Sequence, residues 1–128
     1  MLPLTVIYGD IDNLKKINDT HGHEKGDFLL KKAASILKDC IRDEDIIARI
    51  GGDEFCIVLL NTSGKDAINI IKRVSKRCKT ESSKNISLNI SFGIKTKDVT
   101  NKNLRTLLKE AEAEMYRNKL GKREKILV

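Results

Sequence analysis

Two pairs of acids stand where carboxylates could act together. Asp10 and Asp12 fall where an apolar, β-branched run, Leu4 to Tyr8, gives way to Asn13-Leu14-Lys15-Lys16-Ile17. Asp53 and Glu54 follow Gly51-Gly52, between two further apolar runs. If the strands carrying these acids are neighbours, the carboxylates meet at one end of a sheet. Hard divalent cations want such oxygen ligands, and Mg²⁺ typically takes one or two carboxylates together with phosphate oxygens. A helix starting near Asn13 would turn unpaired backbone N–H groups toward a phosphate. Gly51 and Gly52 lack side chains, so a nucleotide could approach their backbone closely. Acids at strand ends are also common as plain solvated charge, so the elements that position them carry the argument.

Leu4–Tyr8 reads as a buried strand. Asp12 reads as the N-cap of a short helix that stops near His21-Gly22. A longer helix is expected from about Asp27 to Ile41, with Leu29, Ala33, Ile36, Leu37 and Cys40 along one stripe. Ile46–Ile50 and Phe55–Leu60 read as the arms of a hairpin with the glycine pair at its turn. After a loop at Asn61–Gly64, Ala67, Ile70, Ile71, Val74 and Cys78 define a helix face, and Thr80–Lys84 reads as loose and polar. Ile86, Leu88, Ile90, Phe92 and Ile94 alternate with polar or small residues, the clearest strand in the chain. A last helix is expected from Asn103 to about Leu120, with Leu104, Leu107, Leu108, Ala111 and Met115 inside, and an edge strand at Ile126–Val128. The order β-α-α-β-β-α-β-α predicts an α+β domain, a central, mostly antiparallel sheet flanked by helices.

Composition narrows the partners. The 128 residues are 40% hydrophobic and 34% charged, with a net charge of +7. That charge is unevenly spread: residues 1–64 carry a net of −3 and residues 65–128 a net of +10. The split points to an acidic feature in the first half and phosphate or surface partners in the second. No apolar run approaches the ~18 residues of a membrane span, and Met1-Leu2-Pro3-Leu4 has no basic signal-peptide region. Cys40, Cys56 and Cys78 are odd in number and lack CxxC spacing, which argues against a disulfide framework or zinc site and for buried thiols in a reducing compartment. Aromatic residues at 4% are too few for a base-stacking platform.

The residues also spell recognisable words. Gly51-Gly52-Asp53-Glu54-Phe55 reads GGDEF. Upstream, Asp10-Ile11-Asp12-Asn13-Leu14-Lys15-Lys16-Ile17-Asn18-Asp19 is followed by Gly22-His23 and Gly26-Asp27. This closely resembles the D-x-D-x-(F/L)-K-x-x-N-D-x-x-G-H-x-x-G-D run of the GGDEF family of diguanylate cyclases, in correct order and spacing from Leu4 to about Lys125. The resemblance implies a palm-like domain with a ferredoxin-like core, related to nucleotide cyclases. It implies condensation of two GTP into cyclic di-GMP and two pyrophosphates, the 3′-hydroxyls attacking across a homodimer.

Carried over residue by residue, the resemblance makes Asp10 and Asp53 metal-binding carboxylates, with the Ile11 backbone carbonyl as a further ligand, for two Mg²⁺ or Mn²⁺ ions per site. Glu54 would assist with the metal or the proton, two roles the sequence does not separate. Asn18 and Asp27 match the guanine-reading pair; a carboxylate can accept from N1–H and N2–H₂, which adenine lacks. Asp27 is also placed to cap the long helix. Lys15, Lys119 and Arg123 match positions near the triphosphate, beside Gly51 and Gly52. The wording Lys119-Leu120-Gly121-Lys122-Arg123 sets its glycine one place earlier than the family's K-x-x-G-R, so the turn around Arg123 is in question. His23 fits a structural role and His21 an exposed one.

Arg42-Asp43-Glu44-Asp45 contains R-x-x-D, ending with five intervening residues before Gly51, which in the family marks an inhibitory site for the product; the plain alternative is a charged connection between helix and strand. The family's usual leading helix and D-x-L-T-G-L-x-N-R segment have no counterpart here, so the expectation is a single domain over residues 1–128, shortened or excerpted from a larger protein with an upstream sensory domain. A cytoplasmic setting follows, alone or as the cytoplasmic part of a membrane-bound sensor, with no membrane contact by this segment. Two rival functions stand beside the cyclase: a non-catalytic module of the same fold that binds GTP or cyclic di-GMP, and a basic nucleic-acid-binding domain, for which no motif speaks.

Overall fold

The computed structural model describes residues 3–82, 86–97 and 103–127, apart from the side chains of 122–127. Its elements are β1 (Leu4–Ile11), α1 (Leu14–His21), α2 (His23–Cys40), β2 (Ile46–Arg49), β3 (Glu54–Leu59), α3 (Gly64–Glu81), β4 (Ile90–Lys97) and α4 (Leu104–Leu127). The four strands form one antiparallel sheet in the order β2-β3-β1-β4. That order is the split β-α-β arrangement expected of a ferredoxin-like core. The central strand β1 is flanked on both sides, which explains its nearly unbroken burial.

Strand alternation divides the core in two. Val6, Tyr8 and Cys56 point to one face, where Leu107, Ala111 and Met115 of α4 cover them. Ile7, Ile11, Phe55, Ile57 and Leu59 point to the other, where they meet the apolar stripes of α1, α2 and α3. The α4 layer lies very close to β4. A Cβ added at Gly93 would collide with the Ala111 carbonyl oxygen and the Met115 backbone nitrogen. Helix α4 also protects the outer edge of β4: Glu114 Oε1 accepts the Ile94 N–H at 3.0 Å, and Asn118 Nδ2 donates to the Phe92 carbonyl at 2.6 Å. Side chains thereby occupy backbone groups that an edge strand would otherwise offer to another chain.

Several local expectations change. Asp12 does not cap α1. The N-cap is Asn13, in the left-handed conformation with φ 60° and no side-chain cap bond. Asp12 Oδ1 instead accepts the Ser91 hydroxyl at 2.6 Å, because β4 runs beside the end of β1. Helix α2 begins at His23, so Asp27 lies inside it and caps nothing. Helix α3 extends through Thr80 to Glu81, with Ser63 Oγ accepting the Asp66 N–H as its N-cap; residues 83–85 are outside the described set. β4 starts at Ile90, although Ile86 and Leu88 are buried as their alternation implied. The edge strand expected at Ile126–Val128 is replaced by α4, which continues through Gly121 to Leu127; Val128 is outside the described set. Cys56 and Cys78 are buried free thiols and Cys40 is a half-buried one. No helix among the described residues is long and apolar enough to cross a membrane.

The contact at Gly93 yields a direct expectation. Gly93→Ala must push α4 off the sheet, and overpacking of this kind costs about 1–3 kcal/mol. Urea unfolding of the variant should show a loss in that range; an unchanged midpoint would contradict the close approach.

Candidate functional site

The neighbouring ends of β1 and β3 bring Asp10 together with Asp53 and Glu54. Asp10 stands directly opposite Glu54 in the β1–β3 register, and the Ile11 N–H donates to the Asp53 carbonyl at 3.0 Å. The hairpin between β2 and β3 closes through the Ile50 N–H, which donates to the Glu54 carbonyl at 2.9 Å. Arg49, which the sequence reading did not single out, anchors the tip: its guanidinium donates to the Gly51 and Gly52 carbonyls at 3.2 and 2.8 Å. An arginine just ahead of a glycine pair was the available signal for it.

Asp10 is 4% exposed. Lys119, one of the candidate triphosphate residues, reaches it from α4 with Nζ 2.7 Å from Oδ2. Burial is the main reason its carboxyl is pushed up to about 6; the Lys119 contact opposes the rise and the neighbouring Asp53 adds to it. Buried polar groups normally find partners, and here Thr5, Thr62 and Ser91 do so through Thr62 O, the Arg42 guanidinium and Asp12. Two buried oxygens among the described side chains have no hydrogen-bond partner: Asp10 Oδ1 and Asn18 Oδ1. Both belong to residues expected to hold a ligand.

Asn18 and Asp27 come together across α1 and α2. Gly26 makes this possible, since a Cβ there would occupy the position of Asn18 Oδ1. A cavity of about 300 Å³ is lined by Leu14, Lys15, Asn18, Asp27, Leu30, Arg49, Gly52 and Asp53. It joins the expected base readers to one expected metal-binding carboxylate, Asp53, one motif glycine, Gly52, and two cationic side chains, Lys15 and Arg49. Gly51 and Gly52 are exposed at the hairpin tip. The side chain of Arg123 lies outside the described residues, but its backbone is helical, so the shifted glycine produces no turn.

The carboxylates fit hard divalent cations in chemistry. They are acidic oxygens converging at a strand end, one of them buried and unpartnered, next to the Ile11 peptide. On the same side, Tyr116 of α4 donates its hydroxyl to Glu54 Oε1 at 2.8 Å. That bond, with burial second, pushes the phenol up to about 12.

Arg42 and Asp45 lie apart from this cluster. Asp45 has a side chain only 1% exposed and accepts the backbone N–H groups of Arg42 and Leu60 at 3.0 and 3.1 Å. Arg42 donates to the Leu60 carbonyl and to Thr62 Oγ1 at 2.6 and 2.9 Å, and pairs with Glu44 at 3.2 Å. Both residues line a cavity of about 470 Å³ to which α3 adds Arg73, a cation the sequence gave no reason to select.

Comparison with known proteins points one way. The family model described as "Diguanylate cyclase, GGDEF domain" matches residues 2–125. Diguanylate cyclase A of Treponema denticola is 34% identical over 127 residues, covering 96% of this chain and 34% of that protein; the chain therefore spans about a third of that relative's length. Among solved structures, the active GGEEF domain of a diguanylate cyclase from Vibrio cholerae superposes with a TM-score of 0.85 at 30% identity, over 93% of this chain and 78% of that one. The GGDEF domain of DgcB from Caulobacter crescentus, solved in complex with c-di-GMP, shares the fold with a TM-score of 0.85 at 21% identity, over 93% and 73%.

The raised Asp10 carboxyl carries a sign that can be tested. Its folded value of about 6 lies above the ordinary 3.8, so the fold favours the protonated form. That contribution is full below about pH 4 and is lost as the pH rises through 6. In chelator-treated protein, urea unfolding of Asp10→Asn should gain stability relative to the wild type between pH 4 and pH 7. A pH-independent difference would contradict the assignment.

Proposed function

The chain belongs to the GGDEF family of diguanylate cyclase domains, and from that membership we propose that it condenses two GTP into cyclic di-GMP with release of two pyrophosphates. The observation that carries this reading is the cavity shared by Asn18, Asp27, Lys15, Gly52 and Asp53, with unpartnered oxygens on Asn18 and Asp10 at the site. A buried acceptor without a donor is costly, and a nucleotide with its cations supplies what both atoms lack.

The roles follow from chemistry. Asp27 and the Asn18 amide oxygen accept from guanine N1–H and N2–H₂; adenine would leave them unpaired, which penalises ATP. Asp10, Asp53, Glu54 and the Ile11 carbonyl would hold divalent cations. Two such ions, Mg²⁺ or Mn²⁺, would supply positive charge to the α-phosphate and the departing pyrophosphate and would make the 3′-hydroxyl more acidic. Lys15 and Lys119 add fixed cationic charge along the triphosphate, and Arg123 lies one turn beyond Lys119. The exposed glycine tip leaves room for phosphate against the backbone. In the reaction each 3′-oxygen bonds to the α-phosphorus of the other GTP, the bond to the β-phosphate oxygen breaks, and the hydroxyl proton leaves through Glu54 or water. Two chains facing each other, each holding one GTP, satisfy this stoichiometry, and the domain would act downstream of a sensory module in the cytoplasm.

Product feedback through Arg42 and Asp45 is part of the same proposal. Asp45 is committed to backbone amides, so recognition there falls mainly to Arg42 at the mouth of its cavity, once it releases Leu60 and Thr62.

Incubation with GTP and Mg²⁺ should yield cyclic di-GMP and pyrophosphate, detected chromatographically. Asp53→Ala and Asp10→Ala should abolish product, and Asp27→Ala should lower kcat/KM for GTP by ~10-fold or more. Arg42→Ala should relieve product inhibition without changing the initial rate. Bound GTP with no product from the wild type would overturn the catalytic reading.

A further inference from the structure

Tyr116 and Lys119 stand three residues apart on α4, a spacing that puts two side chains on one helix face. Each meets one member of a cross-strand pair. Asp10 and Glu54 are directly opposite in the β1–β3 register, so their side chains leave the sheet on the same side. That side is the one covered by α4, as Val6, Tyr8 and Cys56 show. Lys119 takes Asp10 Oδ2 at 2.7 Å and Tyr116 takes Glu54 Oε1 at 2.8 Å.

The two donors differ in kind. The Lys119 ammonium offsets the charge of the carboxylate it holds. The Tyr116 hydroxyl is neutral, so it orients Glu54 while leaving its negative charge available. Glu54 is only half-buried at the first position of β3, and a glutamate side chain loses much rotamer freedom when fixed in one geometry. An aromatic post with two torsions fixes it at lower cost than a long aliphatic donor would.

We propose that Tyr116 is a positioning residue whose hydroxyl holds the Glu54 carboxylate beside Asp10 in the orientation the reaction uses. This rests on the reading of Glu54 as a carboxylate that serves the cations or the reacting hydroxyl. The phenol acts through Glu54 and touches no reacting atom. It also couples α4 to the hairpin: the helix that clamps β4 through Glu114 and Asn118 sets the tip carboxylate through Tyr116.

Tyr116→Phe removes one oxygen and keeps the ring. The expected result is a kcat for cyclic di-GMP formation lowered ~10-fold with KM for GTP within twofold, since the lost contact orients a group and binds no nucleotide. Calorimetric titration with Mn²⁺ alone should show affinity weakened ~3-fold, and the thermal midpoint should stay within about 1 °C, as expected of a half-exposed hydroxyl. In the Glu54→Ala background, which leaves the hydroxyl no side-chain oxygen to hold, Tyr116→Phe should weaken Mn²⁺ binding no further. Unchanged kcat with unchanged Mn²⁺ affinity would overturn the proposal. So would a raised KM at constant kcat, which would make the ring a nucleotide contact, or a fall in thermal midpoint large enough to account for the activity loss. If the wild type forms no product, the functional reading fails, and the Mn²⁺ titration alone decides for Tyr116: weakened binding supports its role and unchanged binding overturns it.

Discussion

Asp10 is held at the end of the central strand with almost no solvent around it, one oxygen on Lys119 and the other on nothing. Burying a carboxylate disfavours its charged form, and a second acid beside it compounds the effect. A fold optimised only for stability would place an apolar residue there. Every layer of the domain helps to maintain the arrangement. β1 is pinned between β3 and β4, α4 delivers the lysine across 109 residues of chain, and the hairpin sets Asp53 and Glu54 beside it. A buried acid with one unpartnered oxygen and a second acid beside it is the kind of arrangement found at functional sites.

Helix α4 is the second essential part. It reaches the sheet closely because residue 93 is glycine, and from that position it contributes Glu114 and Asn118 to the β4 edge, Tyr116 to Glu54 and Lys119 to Asp10. Packing and polar positioning therefore come from one element. A change that lifts α4 by a few tenths of an ångström would disturb the carboxylates before it unfolded the core. The proposed base-reading half of the site depends on another glycine: Gly26 gives the Asn18 oxygen its room, in the cavity that Asp27 also lines.

Much of this is legible in the sequence itself. The hairpin at Gly51-Gly52, the helix stripes and the order of elements follow from local periodicity and turn chemistry, and the α+β class follows from that order. The motif residues Asn18, Asp27, Lys15 and Asp53 do converge on one cavity. What local pattern could not reveal depends on partners far away in sequence. Asp12 looks like a cap but is drawn to Ser91, 79 residues away. Asp27 looks like a helix start, yet the helix begins four residues earlier, after Gly22. The apolar Ile126-Leu127 resembles a strand, but α4 continues through it with no break at Gly121. Arg42 and Asp45 look like a free recognition pair, whereas the turn before β2 uses both to satisfy backbone groups. Tyr116 carries no local signal, and Arg49 only its place just ahead of the glycine pair; the assembled hairpin and helix show what they hold.

The central claim is that the unpartnered oxygens of Asp10 and Asn18 mark the two ends of one nucleotide site, cations at the first and guanine at the second. A crystal structure with Mn²⁺ and a non-hydrolysable GTP analogue tests it most directly, through anomalous scattering from the metal. The account predicts manganese on Asp10 and Asp53 with the guanine edge against Asn18 and Asp27. Manganese absent from Asp10, or the analogue seated instead in the Arg42 cavity, would contradict it.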